Sequence, residues 1–304
     1  MHNALSTWQA LALNISAYLL WAGATVLFKA LAHVPVWQLF AYRVLGALLV
    51  CSLMLWLSGH WRAARRLLAE PLLLGGLLLS GLLIASNWLV VIWAVANERL
   101  LEASLGYYLA PLCSLLLARG VFGEPFAARE GWALAVCGLG VAVLLASSGV
   151  QQWPWPGLLI ALTFAAYSAL KKRSSVPPWL ALTLETLWVA LPVAVWLLAE
   201  ASQARLQPLQ ALDVAGLASL AVLTTAPLWL YLASLPALSL LSVSFLQYLN
   251  PTLMFVLAVC LFAEPLAPLK LTGFVLIWAG VLLWLLWPWW QRLLAPKVAG
   301  EARL

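Results

Sequence analysis

Two charged residues stand well inside hydrophobic runs, and by type and position they are the groups best placed to do chemistry. Arg43 lies in the run 36–58 and Glu185 in the run 178–199, each about seven residues from its start. At 1.5 Å per residue that is roughly 11 Å. Both charges therefore approach the midplane of a hydrocarbon layer about 30 Å thick. A charge at that depth costs at least ~2.5–3.5 kcal/mol, and it normally faces a cavity or a partner. One reading is a site that binds a substrate carboxylate or moves a proton, broken and remade in each cycle. The other is a static ion pair that locks two parts of the molecule together.

Other polar groups inside apolar runs fall into sets. Asn87 sits beside Trp88 and Trp93, and Thr224 and Thr225 precede Pro227. Ser104, Tyr107 and Tyr108 precede Pro111, and Gln247, Tyr248 and Asn250 surround the approach to Pro251. A proline inside a helix removes a backbone hydrogen bond, and freed groups are tolerated only in protein or at a water-filled cavity. Tyr18, Trp21 and Tyr167 could extend an aromatic wall suited to an amphipathic or aromatic ligand. Helix–helix contact and interfacial anchoring are the structural readings of the same residues.

Catalysis finds little support. His2, His33 and His60 lie at ends or loops, with no pair at metal-ligand spacing. No nucleophile elbow or phosphate-binding loop is present, and nothing calls for a cofactor or metal. Cys51, Cys113, Cys137 and Cys260 each lie in an apolar run and read as small hydrophobes. Glu124–Pro125 and Glu264–Pro265 read as structural, a carboxylate just before a helix start.

The elements that must position these groups follow from composition. Of 304 residues, 65% are hydrophobic and only 9% charged, with mean hydropathy +1.00. A soluble domain carries about 25% charged residues, so most of this surface must face lipid. The net charge of +6 comes from basic residues scattered through short loops, which argues against a nucleic-acid partner. Trp153–Trp155 and Trp287–Trp289–Trp290 stand at the ends of runs, where Trp favours the membrane–water interface. Ten runs are long enough to span or nearly so: 8–28, 36–58, 71–96, 103–122, 130–147, 156–171, 178–199, 212–233, 240–262 and 269–290. Inside a bilayer every backbone group must bond internally, so these runs are predicted helices. The first run is predicted to be a span rather than a cleaved signal peptide, because no small-residue cleavage site follows it.

Orientation follows from Lys and Arg. With a cytoplasmic N-terminus, the inner loops hold Arg62, Arg65, Arg66, Arg119, Arg129, Lys171, Lys172, Arg173, Arg292, Lys297 and Arg303. The outer loops hold only Lys29, Arg99, Arg205 and Lys270. Both termini are therefore expected in the cytoplasm, with Lys171–Lys172–Arg173 as a topology determinant.

The chain also repeats itself. YLAPLCSLLLARGVFGEPFA (108–127) and YLNPTLMFVLAVCLFAEPLA (248–267) match at nine of twenty positions, where about two would be expected from so biased a composition. Earlier in each half an offset of 142 aligns Val34–Pro35 with Val176–Pro177, Trp37 with Trp179 and Arg43 with Glu185. The halves are 1–149 and 150–304, five spans each. An odd number of spans makes the copies enter from opposite faces, an inverted-topology repeat of the kind found in secondary transporters.

Ten spans in two halves, each with a Glu-Pro turn after its fourth helix, resemble the EamA family of the drug/metabolite transporter superfamily. NWLVVIWAVANERLLEASLGYYLAPL (87–112) is similar to the RarD branch, and LETLW (184–188), TTAPL (224–228) and FLQYLNPTLMFVLAV (245–259) support that placing. The resemblance implies an all-α integral membrane protein, with ten transmembrane helices as two inverted five-helix repeats around a central cavity. It also implies alternating access and a plasma (inner) membrane location. The reading is a secondary transporter, an exporter of small metabolites or drug-like molecules, amino-acid-like or amphipathic. It is driven by the proton or substrate gradient and works as a monomer or homodimer. The rivals are a membrane-embedded enzyme and a non-transporting assembly partner.

Overall fold

A computed structural model gives the fold and describes residues 5–57, 59, 67, 70–97, 99–125, 128–147, 155–261 and 268–294. Arg62, Arg65, Arg66, Glu98, Trp153, Glu264 and Pro265 lie outside them, as do the side chains of Ser104, Trp289 and Trp290. Among the described residues the secondary structure is helical.

The helices are α1 (Thr7–Ala30), α2 (Val36–Leu57), α3 (Pro71–Ala96), α4 (Leu100–Phe122), α5 (Ala128–Ser147) and α6 (Trp155–Lys172). They continue with α7 (Pro178–Ser202), α8 (Ala211–Ser234), α9 (Leu240–Leu246), α10 (Leu249–Cys260) and α11 (Pro268–Leu294). Among the described residues eight segments are long and apolar enough to cross a membrane, the stretch Leu240–Leu257 across α9 and α10 among them. The other two predicted runs are helical too, as α4 and α6. They carry polar groups into the interior, such as Tyr107 and Ser114 on α4 and Thr163, Ser168 and Lys171 on α6. Leu49, Val195 and Leu198 are 69–71% exposed, which suits a surface whose solvent is lipid.

Local chemistry sets several ends. Ser6 and Gln9 close a capping box on α1. Gly123 ends α4 in the left-handed conformation, φ 63°, which glycine adopts without steric cost. Pro177 holds the entry to α7, and Gln210 N–H donates to Asp213 at the start of α8.

The ninth predicted run differs from expectation. It is two helices with a turn at Gln247–Tyr248. Pro251 offers no N–H to the carbonyl of Gln247, four residues earlier, and its ring crowds that carbonyl. The Asn250 N–H takes the Gln247 carbonyl instead, at 3.3 Å. Pro111 and Pro227, by contrast, sit inside unbroken α4 and α8.

The helices fall into two compact units, Met1–Glu124 with Val150–Pro265, and Pro125–Gly149 with Leu266–Leu304. Each draws on both sequence halves, because helices of one half pack against helices of the other. In the smaller unit α5 and α11 run antiparallel. A Cβ on Gly140 would lie 2.7 Å from the Gly273 carbonyl, and one on Gly280 2.8 Å from that of Ala133. Those two contacts are the same contact seen from each copy, since 133 and 273, and 140 and 280, differ by 140. In the larger unit Gly46 meets Ala221 and Gly81 meets the backbone of Glu185. Positions 81 and 221 again differ by 140. Small residues at helix crossings are what close packing in lipid requires.

Two apolar clusters mirror each other in the larger unit. Leu31, Val34, Leu39, Leu217 and Leu220 form one, beneath the link 31–35. Leu77, Val176, Leu180, Ala181 and Leu184 form the other, beneath the link 173–177. Val34 and Val176, and Leu77 and Leu217, are repeat equivalents.

Candidate functional site

A cavity of about 560 Å³ lies inside the larger unit, within the range of small-molecule sites. Of the residues singled out in the sequence, Tyr18, Trp21, Arg43, Asn87, Trp88, Tyr107, Thr224, Gln247 and Asn250 line it. Glu185, Trp93, Tyr108, Tyr167, Thr225 and Tyr248 do not. Phe28, His33, Phe164 and Met254 also line it and were not anticipated. Phe28 and Phe164 carry no polar atom, so nothing in their runs marked them out.

The prolines explain part of the wall. The residue four before Pro111 is Tyr107, four before Pro251 is Gln247, and four before Pro227 is Leu223. All three line the cavity. The residues whose carbonyls lose an α-helical partner thus border the cavity, where irregular backbone is tolerated.

Arg43 is the charged centre of this wall. Its guanidinium carbon lies 4.5 Å from the Trp88 ring centroid and 5.1 Å from that of Phe28. Its Nε donates to Thr224 Oγ1 at 3.1 Å. Among the described residues no carboxylate comes within 4.0 Å of it; Lys171 pairs with Glu185 and Arg205 with Glu200, and His33 bonds Asp213. None of the described lining residues is acidic. The aromatic faces offset part of the cost of burying the cation.

Glu185 belongs to a different cluster. Its Oε1 accepts from Lys171 Nζ at 2.7 Å and from Ser80 Oγ, and its Oε2 accepts from Tyr167 at 3.2 Å. Both charged side chains are buried, at 4% and 1% exposure. Arg43 and Glu185 therefore occupy equivalent repeat positions without pairing. Lys171, expected in a loop as a topology determinant, instead lies within α6 and supplies the counter-charge. Tyr231 Oη donates to Ser168 at 2.7 Å beside this cluster.

The remaining polar residues hold helices together around the cavity. Asn87 Nδ2 donates to the Ile160 carbonyl at 2.8 Å and to Thr163 at 3.1 Å, tying α3 to α6. Gln247 Nε2 donates to Ser114 at 3.2 Å, tying the α9–α10 turn to α4. Tyr108 Oη donates to the Pro251 carbonyl at 3.2 Å. Thr225 turns back onto the Ala221 carbonyl of its own helix at 2.9 Å. Trp93 packs against Trp155 at a tilt of 45° with centroids 4.8 Å apart, and the Arg99 guanidinium lies over both rings.

The two ends of the larger unit differ. At one end Ala32, His33, Val34, Pro35 and Val36 line the cavity, and His33, 52% exposed, bonds Asp213 at 3.0 Å. At the other end the links are tied across helices. Lys172 Nζ donates to the carbonyls of Leu235 and Leu238, and Arg173 Nη2 to that of Val121 at 2.9 Å. Glu124 accepts from the N–H groups of Leu240 and Leu241, both at 2.9 Å. The carboxylate does sit at a helix N-terminus, but that helix is α9, far along the chain, rather than the one following it. None of the described residues at this end lines the cavity.

Residues 8–146 match the EamA-like transporter family. The chain is 34% identical over 282 residues to "Protein RarD" of Salmonella typhi, covering 92% of this chain and 95% of that one. It is 31% identical to the Escherichia coli K12 protein of the same name, with 92% and 94% covered. It is 29% identical to the "Chloramphenicol-sensitive protein RarD" of Pseudomonas aeruginosa, with 81% and 83% covered. A solved crystal structure superposes with TM-score 0.69 at 18% identity, covering 95% of this chain and all of that one.

Proposed function

From the premise that the chain belongs to the RarD branch of the EamA-like transporter family, and is a multi-pass membrane transporter, we propose that it exports a small amphipathic metabolite by alternating access to the Arg43 cavity. The observation that carries this reading is the difference between the two ends of one cavity. The link 31–35 lines the cavity, while the equivalent link 173–177 does not and lies at an end bound across helices by Lys172, Arg173 and Glu124. In an inverted repeat, exchanging the conformations of the two copies turns the first end into the second. The pathway then opens to the opposite face without moving the binding site. Such an exchange needs no catalytic group, and chemistry on the substrate forms no part of the reading.

The positive-inside distribution puts the open end at the outer face of the inner membrane and both termini in the cytoplasm. The Lys171–Glu185 pair and the Glu124 cap belong to the inner end and must loosen when it opens. Proton movement through Glu185 is the coupling consistent with that location; a substrate gradient alone is the other driver.

Flux of a metabolite panel into and out of vesicles holding purified protein, with imposed pH gradients, tests the reading. Arg43→Ala is expected to abolish flux while the protein still elutes as a folded species. Normal flux through that variant would remove Arg43 from the pathway.

A further inference from the structure

We propose that the cavity selects a monoanionic amphipath, an aryl or alkyl acid without an ammonium group, whose carboxylate is gripped by the outer edge of the Arg43 guanidinium. The inference rests on the transporter reading and adds the charge class of the cargo.

The guanidinium is already oriented. Trp88 and Phe28 hold its faces at 4.5 and 5.1 Å. Thr224 takes Nε. What remains is the Nη1–Nη2 edge, which has no protein acceptor among the described residues. A planar edge with two parallel donors matches a carboxylate better than any neutral group does. A buried cation without a counter-ion is itself a reason for an anion to bind, because the ligand then completes the pair.

The rest of the wall defines the body of the ligand. Trp21 and Phe164 pack edge to face with centroids 6.1 Å apart and offer apolar area. The Gln247 and Asn250 amides add neutral polar groups. No described lining residue is a carboxylate, so among the described residues an ammonium group beside Arg43 would meet no group that neutralises it. Amines, and to a lesser degree amino-acid zwitterions, are disfavoured by the same electrostatics that favour acids.

Hydrocinnamate, hydrocinnamide, phenylpropylamine and phenylalanine share one aromatic body and differ in charge. Calorimetric titration of each into the purified full chain in detergent is the test. Hydrocinnamate is expected to bind about 10- to 100-fold more tightly than its amide, as a charge-assisted hydrogen bond requires. The amine is expected to bind more weakly than the amide. Arg43→Gln should bring the acid down to the level of the amide, and Arg43→Lys should restore part of the difference, as a point charge without the bidentate edge. An amide or amine that binds wild type as tightly as the acid overturns the proposal, as does an unchanged acid-to-amide ratio in Arg43→Gln or no binding by any of the four. If Arg43→Gln does not fold, the wild-type ratio and Arg43→Lys decide it. Counterflow of the same compounds in vesicles separates the two readings. Flux of the amine with exclusion of the acid keeps transport and overturns the anion site. Acid binding in detergent with no flux keeps the anion site and contradicts transport.

Discussion

Lys171 and Glu185 show how much a buried charge depends on its partner. Both are nearly sealed from solvent, 2.7 Å apart, with Ser80 and Tyr167 on the remaining carboxylate lone pairs. Removing one partner strands the other, at a cost of about 3–5 kcal/mol. Lys171→Ala and Glu185→Gln are each expected to lower the thermal midpoint in detergent clearly. The double variant Lys171→Met, Glu185→Leu should recover most of the loss, since replacing a buried pair by apolar groups is often neutral. If the double variant folds well yet carries no flux, the pair is part of the gate; normal flux would make it purely structural. Arg43 was legible in the sequence, because a charge seven residues into an apolar run has nowhere to go but a cavity or a partner. Lys171 was not, because Lys172 and Arg173 follow it and the triplet reads as a loop. The overlooked signal is the spacing of Thr163, Tyr167 and Lys171, which puts three polar groups on one face of α6.

Among elements, the helix boundaries were legible to within a few residues because bilayer thickness fixes their length. The break in the ninth run was not, since Pro111, Pro227 and Pro251 look alike in sequence and only the last interrupts its helix. What differs is tertiary: α9 is short, and its first N–H groups are held by Glu124 from the other half. Glu124→Ala is expected to loosen α9, raising thiol labelling of Ser244→Cys, a position that is fully buried on that helix. No change in labelling would show the cap to be dispensable. Helix crossings give a second expectation. Gly140→Leu drives a side chain into the Gly273 carbonyl and Ile277 and should cost about 1–3 kcal/mol. Gly23 faces open space, so Gly23→Ala should leave the thermal midpoint unchanged or slightly higher.

For the whole molecule, the repeat was visible as nine identities in twenty, and it reappears as paired contacts at Gly140 and Gly280. Which end of the cavity is open was not visible, because two copies of nearly the same sequence adopt different conformations and only packing distinguishes them. The central claim is that one cavity is reached from either face in turn. Asn250 lines that cavity, so Asn250→Cys in a chain otherwise free of cysteine reports access to it. Vesicles holding this variant can be treated with a membrane-impermeant thiol reagent on one face at a time. The account predicts labelling from both faces, with Glu124→Ala increasing it from the face of the tied end; labelling from a single face in both backgrounds would contradict it.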